Sequence, residues 1–287
     1  MSTTAVELTG FGANPGGLKM FLFSPSRPVL KPALVVAMHG CTQTAADYQR
    51  SGWNTLAERG GFYVLYPEQE GPFRCFSWFD SGNNRRDAGE AASIAQAVAF
   101  VIGQHAVDAS RVFATGLSAG GGMTAVMLSA YPDVFKAGAI MAGIPYRCAD
   151  SFTATGPCTT GRDLTPLAWG DLVRTGFPGF TGSWPRVSIW NGDADMVVYV
   201  KNLTELMKQW TNVHGVDQTA DLTTTVGIAT RREYKDAAGV TRVETWTLAG
   251  MAHGLALDPT RGCGTAASYM FDVGLCSTSE AAKFFGL

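Results

Sequence analysis

Apolar residues fall along this 287-residue chain in short unbroken runs: Ala33 to Met38, Phe62 to Tyr66, Arg111 to Thr115, Ala137 to Ala142 and Val187 to Trp190. A strand with one wet face alternates apolar and polar residues, whereas a strand covered on both faces does not, and the second state is usual in parallel sheets. Between the runs, Ile94, Val98, Val101 and Ile102 repeat at helical spacing, as do Leu203, Met207 and Trp210. Strands alternating with helices predict an α/β fold, a doubly wound and mostly parallel sheet with helices on both faces.

Two stretches depart from this rhythm. Residues 144–184 are rich in Gly, Pro, Thr and aromatics, and predict a loop-rich excursion over the sheet that edges the substrate site. Further on, Thr230 to Lys235 and Val240 to Leu248 flank Asp236-Ala237-Ala238-Gly239, which predicts a hairpin at a sheet edge. Neither an internal repeat nor a linker divides the chain, so residues 1–287 are expected to form a single catalytic domain.

The chemistry concentrates where Val112-Phe113-Ala114 runs into Gly116-Leu117-Ser118-Ala119-Gly120 and then into Met123 to Leu128. Strand, tight turn and helix make a nucleophile elbow, in which flanking glycines leave room for a serine on a strained turn to project its Oγ. A serine hydroxyl needs a histidine to take its proton and a carboxylate to orient that histidine. Of four histidines, His105 and His214 end helical patterns and His39 precedes the nucleophile, the wrong chain order for this fold. His253, in the short loop after Leu248, has the right order and is the expected base. The acid comes from Asn191-Gly192-Asp193-Ala194-Asp195, with Asp195 chosen and Asp193 left to stabilise the turn. The oxyanion donors are expected to be the backbone amides of Ala119, next after the nucleophile, and Cys41, in the loop after the first run.

Composition narrows the partners. A formal net charge of −2 and no basic tract argue against nucleic acid, and no apolar stretch is long enough for a membrane span. No metal or organic cofactor is called for by any motif. Six cysteines fall into three plausible pairs, Cys41 with Cys75, Cys148 with Cys158 and Cys263 with Cys276, although six thiols allow fifteen pairings. Met1 to Glu7 show no secretory signal, so the chain is expected to be cytosolic or to have lost its signal; the cysteines favour an extracellular protein. A monomer is expected.

At these residues the chain resembles the esterase family that includes extracellular polyhydroxybutyrate depolymerases, feruloyl esterases and acetylxylan esterases. The matching blocks are Met38 to Gln43, Leu65 to Gln69, Cys75 to Phe79, Gly116 to Gly121, Gly192 to Val198, Met251 to Gly254 and Cys263 to Ala266. The resemblance implies an α/β-hydrolase with Ser118 as nucleophile, Asp195 as acid through its Gly-x-x-Asp-x-x-Val pattern, His253 as base, Cys41 and Ala119 as oxyanion donors, and secretion. Where many relatives carry Gly-His-Ala-Trp, this chain reads Ala252-His253-Gly254-Leu255, closer to the polyester-cleaving members. Phenolic or acetyl esters on plant polysaccharide lead as substrates, with short-chain polyhydroxyalkanoate second and a noncatalytic binding protein on a hydrolase scaffold third. Trp78, Phe79 and Trp184, with Phe180, are the aromatic residues expected to hold substrate.

Overall fold

The computed structural model describes residues 4–287. Ten strands form one sheet: β1 (Val6–Glu7), β2 (Lys19–Phe23), β3 (Leu34–Met38), β4 (Tyr63–Glu68), β5 (Val112–Leu117), β6 (Ala137–Met141), β7 (Arg186–Gly192), β8 (Leu222–Val226), β9 (Ala229–Lys235) and β10 (Thr241–Leu248). Their spatial order is β1-β2-β4-β3-β5-β6-β7-β10-β9-β8. The six strands from β4 to β10 in that order are mutually parallel, and antiparallel strands close both ends. A separate parallel pair, β11 (Leu255–Leu257) and β12 (Met270–Asp272), follows β10.

Helices cover both faces, which explains the unbroken apolar runs. Leu34, Val36 and Met38 of β3 enter one core with residues of α3 (Gly89–His105), α4 (Ala119–Ala130), α6 (Pro166–Arg174) and α7 (Lys201–His214). The alternate residues Val35 and Ala37 enter the other, against α1 (Ala45–Gln49), α2 (Trp53–Gly60) and α8 (Ser277–Phe285). Both helical patterns read from the sequence are present, as α3 and α7.

One expectation needs correction. The hairpin turns at Asp236, whose backbone N–H donates to the Val240 carbonyl, but β10 is an interior strand paired in parallel with β7 from Val243 to Leu248. The outermost strand is β8, whose Leu-Thr-Thr-Thr-Val carries too little apolar signal to be read. Interior placement of β10 is reinforced by Trp190 and Trp246, stacked with centroids 4.2 Å apart, and by buried Glu244, which accepts from Ser188 Oγ at 2.6 Å and pairs with Arg231 at 2.6 Å. Residues 144–184, loop over most of their length, also hold α5 (Thr155–Thr159) and α6, the latter started by Thr165, whose side chain accepts from the Ala168 amide, with Pro166 next in sequence. Trp169 of α6 is fully buried and donates to Glu205 Oε2 at 2.7 Å, locking α6 onto α7.

Candidate active site

The elbow forms because β5 and α4 meet with almost no connecting chain. Ser118 sits between them at φ 57° and ψ −116°, a left-handed conformation for a residue with a side chain. Glycine is needed on either side for a steric reason: a Cβ at Gly116 would strike the Gly120 carbonyl, and one at Gly120 would strike the carbonyls of Met38 and His39. The end of β3 thus lies directly against the elbow, which brings the loop after β3 to the nucleophile. Gly40, Cys41, Thr42, Gln43, Leu117, Ser118, Val197, His253 and Tyr269 line a cavity of about 140 Å³.

His253 and Asp195 arrive from loops after neighbouring parallel strands, β10 and β7. Both are buried, and His253 Nδ1–H donates to Asp195 Oδ2 at 2.7 Å, leaving Nε2 with a free lone pair. Asp195 Oδ1 accepts from the Val197 and Val198 amides at 2.8 and 2.9 Å, so the carboxylate has a fixed plane. The two loops are stitched together: the Asp193 amide donates to the Leu248 carbonyl at 3.0 Å, Asp193 Oδ1 accepts from the Gly250 amide at 2.7 Å, and the Ala194 amide donates to the Met251 carbonyl at 3.2 Å. Asp193 therefore stabilises the neighbouring loop, a longer-range partner than the local turn bond that the sequence suggests.

The loop after β3 is held from several directions. Cys41 is bridged to Cys75, the Thr42 amide donates to the Phe73 carbonyl at 2.7 Å, and the Gly40 amide donates to Gln43 Oε1 at 2.9 Å. His39, fully buried, donates from Nδ1 to the Gly40 carbonyl at 2.8 Å and accepts at Nε2 from the Gln69 amide at 3.1 Å. Burial lowers its pKa, so the ring is neutral and serves as a brace between β3 and β4. Ala119 is buried at the first position of α4, where an amide has no acceptor within the helix. The remaining two cysteine pairs, Cys148–Cys158 and Cys263–Cys276, are also disulfides.

The aromatic residues chosen from the sequence lie elsewhere. Trp78 is buried against the first turn of α4, with its ring where a Cβ on Gly122 would be, and Phe79 packs edge-on to Trp78 and Phe152. Trp184 packs on Phe180, which stacks on Phe177 beneath the Arg86 guanidinium. None of Trp78, Phe79 and Trp184 lines the cavity beside Ser118, and neither does any residue of 144–184. The aromatic wall is instead Tyr269, edge-on to His253 with centroids 6.0 Å apart. Sequence reading misses it because Tyr269 reaches the site through a crossing: its carbonyl accepts from the Leu255 amide at 2.8 Å, directly over Gly254. Among the described residues no cluster of three His, Cys, Asp or Glu is placed to hold a metal, and no helix is long and apolar enough to cross a membrane.

A mostly parallel sheet with a serine elbow and a loop-borne histidine and carboxylate defines an α/β-hydrolase, a fold that does not by itself fix the reaction; the chain's relatives make its class that of carboxylic ester hydrolases. The profile of the family described as esterase PHB depolymerase matches residues 18–235, and the chain belongs to that family. It is 48% identical to poly(3-hydroxyalkanoate) depolymerase C of Paucimonas lemoignei over 98% of this chain and 70% of that protein. Acetylxylan esterase of Coprinopsis cinerea is 39% identical over 87% of the chain and 68% of the relative, and feruloyl esterase B of Talaromyces funiculosus is 33% identical over 88% and 74%. Among solved structures, an acetyl xylan esterase from Aspergillus awamori superposes with a TM-score of 0.86 at 27% identity, covering 99% of both chains.

Proposed function

We propose that Ser118, His253 and Asp195 act as a catalytic triad that cleaves polymer-borne carboxylic esters through an acyl-enzyme. The observation that carries this is the 2.7 Å bond from His253 to Asp195 beside a cavity that Ser118 and His253 share. His253 Nε2 takes the Ser118 proton as Oγ attacks the ester carbonyl, and the Cys41 and Ala119 amides receive the oxyanion. Collapse expels the alcohol with the proton from His253. Water, deprotonated by the same nitrogen, then releases the acid and restores Ser118.

For the polymer, a polyester of hydroxyalkanoate units draws support from the 48% identity and from exposed apolar side chains at the cavity and beside it: Met196, Val197 and Tyr269 are 73%, 53% and 41% exposed. Acetyl or feruloyl esters on plant polysaccharide draw support from the end-to-end superposition on an acetyl xylan esterase and from the acetylxylan and feruloyl esterase relatives. Secretion is supported by the pairing of all six cysteines. Product release from polyhydroxybutyrate particles, acetylated xylan and methyl ferulate, measured side by side with Ser118→Ala as blank, assigns the polymer. Failure of a fluorophosphonate to label Ser118, with no turnover of any of the three, would sink the enzyme reading in favour of a binding protein.

A further inference from the structure

The small cavity beside Ser118 does not end at Tyr269. Thr42, Gln43 and Tyr269 are walls both of that space and of a second one of about 550 Å³, completed by Arg50, Ser268, Asp47, Ala267 and Met270. The two spaces therefore adjoin at three common walls, a narrow inner one beside Ser118 and a wide outer one. Two of the three shared walls have unusual backbones: Thr42 has φ 66° and Tyr269 φ 61°, conformations that side-chain-bearing residues hold only when their surroundings enforce them. At Tyr269 the enforcement is visible. The segment is closed into a loop by Cys263–Cys276 and laid across Gly254, where any Cβ would strike the Tyr269 carbonyl.

We propose that the outer space is the subsite for the alcohol portion of the ester, and that it selects alcohols carrying further oxygen acceptors. This rests on the triad reading above. His253 donates its proton to the departing alkoxide, so the alcohol lies on the imidazole side of the scissile bond, and the wall on that side is Tyr269. Beyond Tyr269 the lining is rich in donors: the Thr42 and Ser268 hydroxyls and the Arg50 guanidinium make no side-chain hydrogen bond or ion pair among the described residues. Asp47 is already engaged, accepting from the Thr44 amide and hydroxyl at 2.9 and 2.7 Å. Carbonyl oxygens of a hydroxyacid unit and hydroxyls of a sugar unit both satisfy such donors, whereas a plain alkyl alcohol leaves them unmet.

The test holds the acyl group constant and varies the alcohol: ethyl butyrate, the butyryl ester of methyl 3-hydroxybutanoate, and a butyryl ester of methyl xyloside. The parent is expected to favour at least one oxygen-bearing ester over ethyl butyrate by about tenfold in kcat/KM, mainly through KM, and the preferred alcohol identifies a hydroxyacid or a sugar chain. Arg50→Ala and Ser268→Ala, both at exposed positions, are each expected to cut that preference by about threefold or more. Turnover by the parent with no preference, or a preference intact in both variants, overturns the subsite. No turnover of any of the three esters overturns the triad reading itself, so the two failures are distinct.

Discussion

Ser118, in its left-handed conformation, stores on the order of 1–3 kcal/mol of backbone strain, and the surrounding glycines permit it. Gly120→Ala forces a methyl group onto the Met38 and His39 carbonyls, so it is expected to destabilise the fold by roughly 1–3 kcal/mol in urea titration while displacing the oxyanion loop. Asp195→Asn cannot hold His253 in the same tautomer; kcat is expected to drop by about 10³–10⁴ with the circular dichroism spectrum unchanged, and full activity would move the acid elsewhere. A third residue sets acid sensitivity. Burial lowers the pKa of His214 to about 4, and its Nε2–H donates to the Pro185 carbonyl at 2.9 Å. The unfolded chain binds a proton there near pH 6.5 while the native one does not, so stability is lost as pH falls from about 6.5 towards 4. His214→Gln is expected to flatten urea midpoints measured across that range. Ser118, Asp195 and His253 were legible because each sits in a short local pattern in the right chain order. Tyr269 was not, since its place depends on a loop crossing a distant glycine, which no local pattern encodes.

Elements were legible in proportion to how fully they are covered. The five runs read as strands correspond to β3, β4, β5, β6 and β7, all interior and wrapped on both faces. Missed strands are β2, the antiparallel neighbour of β4, and the two-residue β1, the half-exposed β8 and the three-residue β11 and β12, these last four resting on pairing more than on apolar content. Helix α6 was missed behind its Gly and Pro neighbours although Thr165-Pro166 is a start signal. The join between β7 and β10 depends on a charge: Glu244 is 1% exposed and its carboxylate pairs with Arg231. Arg231→Met strands that carboxylate, with an expected loss of about 3 kcal/mol or more by calorimetry; a neutral result would show that Ser188 and Trp246 suffice as its donors.

For the molecule as a whole, each disulfide joins segments that follow strands: Cys41 and Cys75 follow β3 and β4, Cys148 and Cys158 follow β6, and Cys263 and Cys276 follow β11 and β12 of the small second sheet. The ten strands of the sheet contain no cysteine, but the bridges are part of its cores: Cys148 and Cys158 are buried in one and Cys263 in the other. Replacing the Cys41–Cys75 pair by serines is expected to cost about 2–4 kcal/mol in thermal unfolding and, on the proposed role of the Cys41 amide, to lower kcat on small esters about tenfold, because the loop after β3 loses its anchor. The bridges therefore serve stability and competence together: sulfur ties the site loops down and fills part of the core beneath them. With all three bridges open at once, a chain made among reduced thiols would lose much of its margin against unfolding, so oxidation would set both the fold and the working edge.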